Sequence, residues 1–180
     1  RAELVNRILG INGHLIVYKK NEPLISNYNE IVSQIMDVKN VVAVTPHLEG
    51  QALAKTKNGV TGVVIRGTNW SDLAPKKLLW DSLDDDTFDN FKNKKNIIIG
   101  YRLGQRLNIK VGDFISLISP SGTQTALGTL PLSQNFIVGG FFNIGMYEYD
   151  NNFIFIPWDK AESFFSVKGM AHGIEIFLND

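Results

Sequence analysis

The apolar residues of this chain occur in short runs, and their spacing predicts strands and helices that alternate along it. Residues 14–18 form a β-branched and aromatic run typical of a strand. Ser26 is a candidate N-cap for the helix that follows. One face of that helix is formed by Tyr28, Ile31, Val32, Ile35 and Met36. Residues 41–44 begin the next strand, and such a β-α-β order normally joins two parallel strands.

An Asn-Gly pair marks the clearest turn. Residues 51–57 and 60–66 are strand-like runs on either side of Asn58 and Gly59. Asn-Gly favours a type I′ turn, in which both central residues have positive φ, so this region predicts a β-hairpin. Pro46 restricts the strand before it to an edge position or an irregular start.

The second half of the chain predicts the same kinds of element. Residues 68–95 indicate a loop with short helical turns, followed by a charged surface segment at 84–95. The next elements are a strand at 96–100, a helix at 101–107 and a strand at 114–118. A strand at 152–156, a helix starting at Pro157 and a strand at 173–178 make a second β-α-β unit. Two such units around a mostly antiparallel middle predict an α+β fold.

Residues 120–131 form an uncharged, proline-bounded stretch between two strand-like runs, 114–118 and 136–138. It carries hydroxyl groups in its first half and apolar Ala126, Leu127 and Leu130 near its tip. A projecting hairpin of this composition offers few groups for chemistry and suits contact with another protein. The sequence therefore favours binding to a partner protein over chemistry on a substrate.

The composition excludes several classes of function. Eighteen basic residues balance eighteen acidic ones, which argues against a nucleic-acid-binding protein. The chain has no cysteine, so disulfides and thiolate metal sites are absent. No apolar run approaches the roughly 20 residues that span a bilayer. The apolar face of Leu4, Val5, Ile8 and Leu9 indicates that the chain starts inside a helix, as expected for a domain cut from a longer protein.

No pattern of catalytic or metal-binding residues stands out. The three histidines, His14, His47 and His172, have no His or Cys at ligand spacing, so structural or surface roles are expected. The acidic run 84–86 with Asp89 lacks the glycine and glutamate of a calcium loop. Ser121, Thr123 and Ser133 have no adjacent base. We therefore expect neither catalysis nor a cofactor.

Three stretches together resemble the periplasmic domain of lipoprotein-releasing ABC transporter permeases, the LolC/LolE family, within the wider MacB-like superfamily. Residues 3–14, Glu-Leu-Val-Asn-Arg-Ile-Leu-Gly-Ile-Asn-Gly-His, resemble the family's exit from its first transmembrane helix. Residues 97–113 resemble its glycine-rich stretch that ends in Gly-Asp. Residues 120–131 resemble the LolC-type loop that begins Pro-Ser and ends Met-Gly-x-(Ile/Leu)-Pro, with Leu127 at the methionine position.

The resemblance implies an α/β porter subdomain at 1–65 and 152–180 and a β-rich sabre subdomain at 66–151. It also implies a domain on the periplasmic side of the bacterial inner membrane, flanked by transmembrane helices. The hairpin would enter the lipid-binding cavity of the chaperone LolA, which receives lipoproteins. A second permease subunit and a separate ATP-binding subunit would complete the transporter.

The resemblance also implies the contact residues. Those of the hairpin would be Pro120, Ser121, Thr123, Gln124, Ala126, Leu127, Gly128, Leu130 and Pro131. A patch beside it would contain Ser116, Gln134 and Asn135, where arginines are expected at 116 and 135.

Three alternatives stay open at this point. One is a LolE-type subunit that contacts lipoproteins, or a single permease with both features. Another is a MacB-like efflux permease that meets a membrane-fusion adaptor. The third is a hydrolase with a spatially assembled site.

Overall fold

The computed structural model describes residues 10–93, 96–125 and 128–179, and only the backbone within 120–131. The predicted helix at 4–9 lies outside these ranges. The strands are β1 Leu15–Val17, β2 Val41–Thr56, β3 Gly59–Thr68, β4 Asn96–Gly100, β5 Phe114–Thr125, β6 Gly128–Phe142, β7 Phe153–Pro157 and β8 Gly173–Leu178. The helices are α1 Tyr28–Met36, α2 Lys77–Trp80, α3 Asp85–Lys92, α4 Tyr101–Leu107, α5 Tyr147–Asn152 and α6 Trp158–Phe165, with a 3-10 turn at Trp70–Leu73.

The eight strands form one sheet in the order β1-β8-β2-β3-β7-β4-β6-β5. An additional pairing of β5 with β2 closes six of these strands into a ring. The remaining two, β8 and β1, continue from the first half of β2. The 16-residue strand β2 therefore belongs to both parts of the sheet. Closure matters because it gives each strand of the ring a neighbouring strand on both sides, at least over part of its length.

Both predicted β-α-β units are present, but in each unit other strands of the sheet lie between its two strands. Strands β1 and β2 run parallel with β8 between them, antiparallel to both. Strand β7 is parallel to β3, and β2 separates β3 from β8. Pro46 lies in β2 opposite Ile174, just before β2 leaves β8 and begins to pair with β3 at Leu48. At position 46, β2 pairs with β8 alone among the described strands, so the proline interrupts no pairing on the opposite side of β2.

The β2–β3 hairpin is confirmed, but its turn is not type I′. Thr56 pairs with Gly59, so Lys57 and Asn58 are the connecting residues, and neither has a positive φ. Gly59 instead adopts a φ of 152°. The Asn58 amide donates to the carbonyl oxygen of Leu107 at 2.7 Å. It thereby satisfies a carbonyl at the end of α4, which has no partner inside the helix.

One predicted helix start differs from the structure. Helix α1 has Asn27, not Ser26, at its N-cap, and no side chain caps it. The charged segment predicted at 84–95 begins at the surface, where Asp84, Asp85 and Asp86 are exposed, and it contains helix α3. The Asp84 carboxylate accepts a hydrogen bond from the Thr87 amide at 2.7 Å, which caps α3. Asp85 and Asp86 then lie in its first turn, where the helix dipole favours negative charge.

The main core fills the closed ring. Its buried residues come from all six strands of the ring and from helix α4, and helix α6 adds Trp158, Ala161 and Phe164. Burial of one such aliphatic or aromatic side chain contributes roughly 1.5–3 kcal/mol. The ring therefore gives the adjoining segments a rigid support.

A buried network of charged side chains joins the two ends of the described chain. Glu175 of β8 contacts Lys76 directly and lies 3.6 Å from the Arg66 guanidinium, measured from Oε1 to Nη1. The Nε atom of Arg66 donates to Glu49 at 2.7 Å, and its Nη1 donates to Asn12 at 3.0 Å. Burial alone would raise the pKa of Glu175, but Lys76 and Arg66 lower it below the ordinary value.

We expect Glu175→Gln to lower the free energy of unfolding by about 3–5 kcal/mol, because it leaves Lys76 without its charged partner in the interior. Chemical denaturation of the variant and the wild type measures the difference. Lys77→Gln is the control, since that exposed ion pair with Asp81 is worth little. Equal losses in the two variants would contradict this assignment.

We expect the stability of the domain to fall as the pH drops below about 6.5, because His47 is buried in its neutral form. Burial, and then the nearby Arg66, lowers its pKa from 6.5 to about 4, although Glu175 and Glu49 act in the opposite direction. Between these values the unfolded chain binds a proton that the folded chain does not. The loss from pH 7.5 to pH 5 is about 2 kcal/mol.

Denaturation curves at both pH values for wild type and His47→Gln measure this contribution. The variant should have the smaller pH dependence. His172→Gln serves as the control, since that half-buried ring has a smaller lowering of its pKa. An unchanged pH dependence in His47→Gln would show that other groups cause the loss.

Candidate partner-binding site

The predicted hairpin is a pair of long strands and not a loop between short ones. Strands β5 and β6 pair from Phe114 opposite Ile137 to Thr125 opposite Gly128. The expected ends of the flanking strands, at 118 and 136, are therefore wrong. The predicted contacts at Ala126 and Leu127 lie outside the described residues. Of the other hairpin residues, the backbone positions of Pro120, Ser121, Thr123, Gln124, Gly128, Leu130 and Pro131 lie within the two strands.

The strand register is interrupted at the prolines. Ser119 pairs with Leu132, and the next pair is Thr123 with Leu130. Three residues, 120–122, therefore oppose the single residue Pro131. Proline has no amide hydrogen to donate, so it is tolerated in a strand at such bulges. Bulges bend a strand and increase its twist, so this interruption sets the direction of the outer part of the hairpin.

The hairpin extends beyond the closed ring. Strand β5 pairs with β2 only at Ser116, Leu117 and Ile118. Strand β6 pairs with β4 only from Ile137 onwards. In the part of the chain that the structure describes, the strands between 119 and 132 pair with each other alone. The ring thus holds the base of the hairpin and leaves its outer part open to a partner.

The three predicted patch residues do not share one face. Ser116 and Asn135 pair across the strands, and the Ser116 hydroxyl donates to the Asn135 side-chain oxygen at 2.6 Å. Gln134 pairs with the buried Leu117 and is itself half-buried. Because successive side chains point to opposite faces of a strand, Gln134 faces away from the other two.

A lysine that the sequence analysis missed lies beside this pair. Lys55 of β2 pairs with Ser116, so Lys55, Ser116 and Asn135 form one row across three strands. Its side chain is exposed. The positions where arginines were expected are neutral, but a cation lies next to them. Only the strand register reveals this, because Lys55 and Asn135 are far apart in the sequence.

Two of the three histidines accept hydrogen bonds from the backbone, as expected for structural roles. His14 Nδ1 accepts from the Leu178 amide at 3.1 Å, and His172 Nδ1 accepts from the Glu49 amide at 3.1 Å. Among the described residues, no three His, Asp or Glu side chains cluster as metal ligands would. Within the same ranges, no helix combines the length and apolar character needed to cross a bilayer.

The sequence and the fold of this domain are similar to those of known proteins. The model of the MacB-like periplasmic core domain matches residues 7–179. The chain belongs to this family. The lipoprotein-releasing system transmembrane protein LolC of Neisseria meningitidis serogroup B is 27% identical over 143 residues, which cover 79% of this chain and 34% of that protein. LolC of Xylella fastidiosa strain Temecula1 is 24% identical over 100% of this chain and 43% of its own length.

This MacB-like domain thus spans less than half the length of the LolC proteins that it matches. The extracellular domain of the ABC-type transporter YknZ from Gram-positive bacteria has a similar fold, with a TM-score of 0.62 and 16% identity. That match covers 92% of this chain and 82% of the YknZ chain. The α+β fold class and the resemblance to MacB-like and LolC-type domains are confirmed.

Proposed function

We propose that this domain is the periplasmic part of an inner-membrane lipoprotein-releasing ABC permease and that its β5–β6 hairpin docks a LolA-type chaperone. Lipoproteins extracted from the inner membrane would then pass to that chaperone on their way to the outer membrane. The observation that carries the proposal is a hairpin whose outer strands pair only with each other among the described residues. It occurs in a chain similar to LolC proteins.

The hairpin's chemistry supports docking to a lipid-binding cavity. Residues 120–131 carry no charge, so their transfer from water into an apolar cavity desolvates no ion. Leu127 and Leu130 supply apolar surface, and burial of one leucine contributes roughly 1.5–3 kcal/mol. Strand pairing up to Thr125 and Gly128 holds the backbone before the partner arrives, which reduces the entropy lost on binding.

The domain itself performs no catalysis in this proposal. ATP hydrolysis belongs to a separate cytoplasmic subunit, and a second permease subunit completes the transporter. Transmembrane helices on either side of the domain would connect it to the membrane. The division into a porter part, 1–65 with 152–180, and a sabre part, 66–151, remains part of the proposal.

We expect Leu127→Asp to weaken binding to a LolA-type chaperone about 30-fold, which corresponds to about 2 kcal/mol. The reason is that a carboxylate resists transfer into an apolar cavity. Isothermal titration calorimetry with the purified domain measures the change.

The control for this experiment is Val38→Asp, a similar change at an exposed apolar residue between α1 and β2. It should bind as the wild type does. Loss of binding in both variants would indicate a general effect of added charge. A folded wild-type domain that does not bind at all would favour the LolE-type or the efflux-permease alternative.

We expect Lys55→Gln to weaken chaperone binding about two- to fivefold at low ionic strength, because it removes the cation beside Ser116. The difference should shrink when salt rises from about 50 mM to about 500 mM, since salt screens exposed charges. Lys20→Gln is the matched control at another exposed lysine. A loss that is independent of salt would contradict an electrostatic role for Lys55.

A further inference from the structure

Strand β3 contains one glycine that the fold does not explain. Gly59 has a φ of 152°, which disfavours a side chain. A Cβ atom at Gly67 would overlap the Cβ of Ala161. Neither reason applies to Gly62, because its φ is not in the left-handed region and a Cβ there would meet no atom of the described residues within 4 Å. A glycine inside a strand weakens it by roughly 0.5–1 kcal/mol, so Gly62 needs another explanation.

The surroundings of Gly62 are apolar and open. It pairs with Leu53 of β2, whose side chain is 46% exposed. Val60, two residues away on the same face of β3, is 56% exposed. Leu53 also pairs on its other side with Ile118 of β5, which is half-buried. A groove of about 490 Å³ is lined by Leu53 and Gly62 together with Gln51, Val64 and Asn152.

We propose that this outer face of β2 and β3 is a second contact surface for the protein that binds the hairpin. We define the surface by Leu53, Val60, Gly62 and Ile118. An interior glycine in a strand often marks a place where another backbone approaches closely, and here no described residue of the domain fills that place. The inference rests on the proposed function, because it takes the chaperone as the partner.

Continuity with the hairpin selects this partner over others. Ile118 precedes Pro120 by two residues on β5 and is the last residue of that strand to pair with β2. A protein that encloses the outer hairpin therefore reaches Ile118 and Leu53 next, since the row Leu53–Ile118–Ser133 crosses the base of the hairpin. Lys55 lies two residues from Leu53 on the same face, which places the apolar surface and the cation side by side.

The first test is Gly62→Thr, measured for stability and for binding to a LolA-type chaperone. The open space and the strand preference of threonine predict an unchanged or raised melting temperature. The added side chain should obstruct the close approach and weaken chaperone binding about fivefold or more. A stable variant that binds as the wild type does would overturn the inference.

A pair of matched variants on one strand provides the second test. Leu53→Arg should weaken chaperone binding, whereas Val42→Arg should not. The two residues lie on β2 with exposed fractions of 46% and 49%, but Val42 lies in the part of the strand next to β8. Equal effects would overturn the inference, because they would show a general response to added charge.

The outcomes separate the two proposals. If wild type binds, Leu127→Asp does not, and the Gly62 and Leu53 variants bind normally, only the second surface is wrong. If wild type does not bind, both proposals fail. If the Gly62 and Leu53 variants instead change self-association in analytical ultracentrifugation, the surface contacts a second copy of this chain and the assignment to the chaperone is overturned.

Discussion

The short pairing between β2 and β5 is the contact on which the other features depend. Three residue pairs, from Leu53 with Ile118 to Lys55 with Ser116, convert an open sheet into a closed ring. Closure encloses the main core and fixes β5 at the position where the hairpin leaves the ring. Without these pairs, β5 would be an edge strand, and the hairpin would be held on one side only.

The buried charges have a complementary role at the other end of β2. Glu175 lies in β8 near the end of the chain, Asn12 lies near its beginning, and Arg66 and Lys76 connect them. A buried ion pair adds little net free energy of folding compared with apolar packing, but it forms only when its charged groups are placed accurately. It is therefore well suited to fix the relative positions of segments that the ring does not contain.

Local patterns predicted individual elements well. The helix Tyr101–Leu107 and the strand Gly173–Leu178 have the predicted bounds, because apolar spacing and flanking glycines determine them locally. The strands at the hairpin were predicted too short, since Pro120 and Pro131 normally end a strand. Here a register interruption accommodates both prolines. The turn at Asn58 was misassigned because its amide caps a helix far away in the sequence.

The candidate surfaces depended much more on tertiary structure. The composition of residues 120–131 indicated a contact element, but the roles proposed for Lys55 and Gly62 follow only from which strands lie side by side. Gln134 shows the converse, since its position next to Asn135 in the sequence places it on the opposite face.

The register interruption at the prolines has a consequence for how this domain evolves. On one side of it, each residue must fit the partner strands and the core of the ring. On the other side, the two strands pair only with each other among the described residues. Substitutions in the outer hairpin therefore need not disturb the packing of the ring. The outer hairpin can change in sequence while the closed ring keeps its architecture.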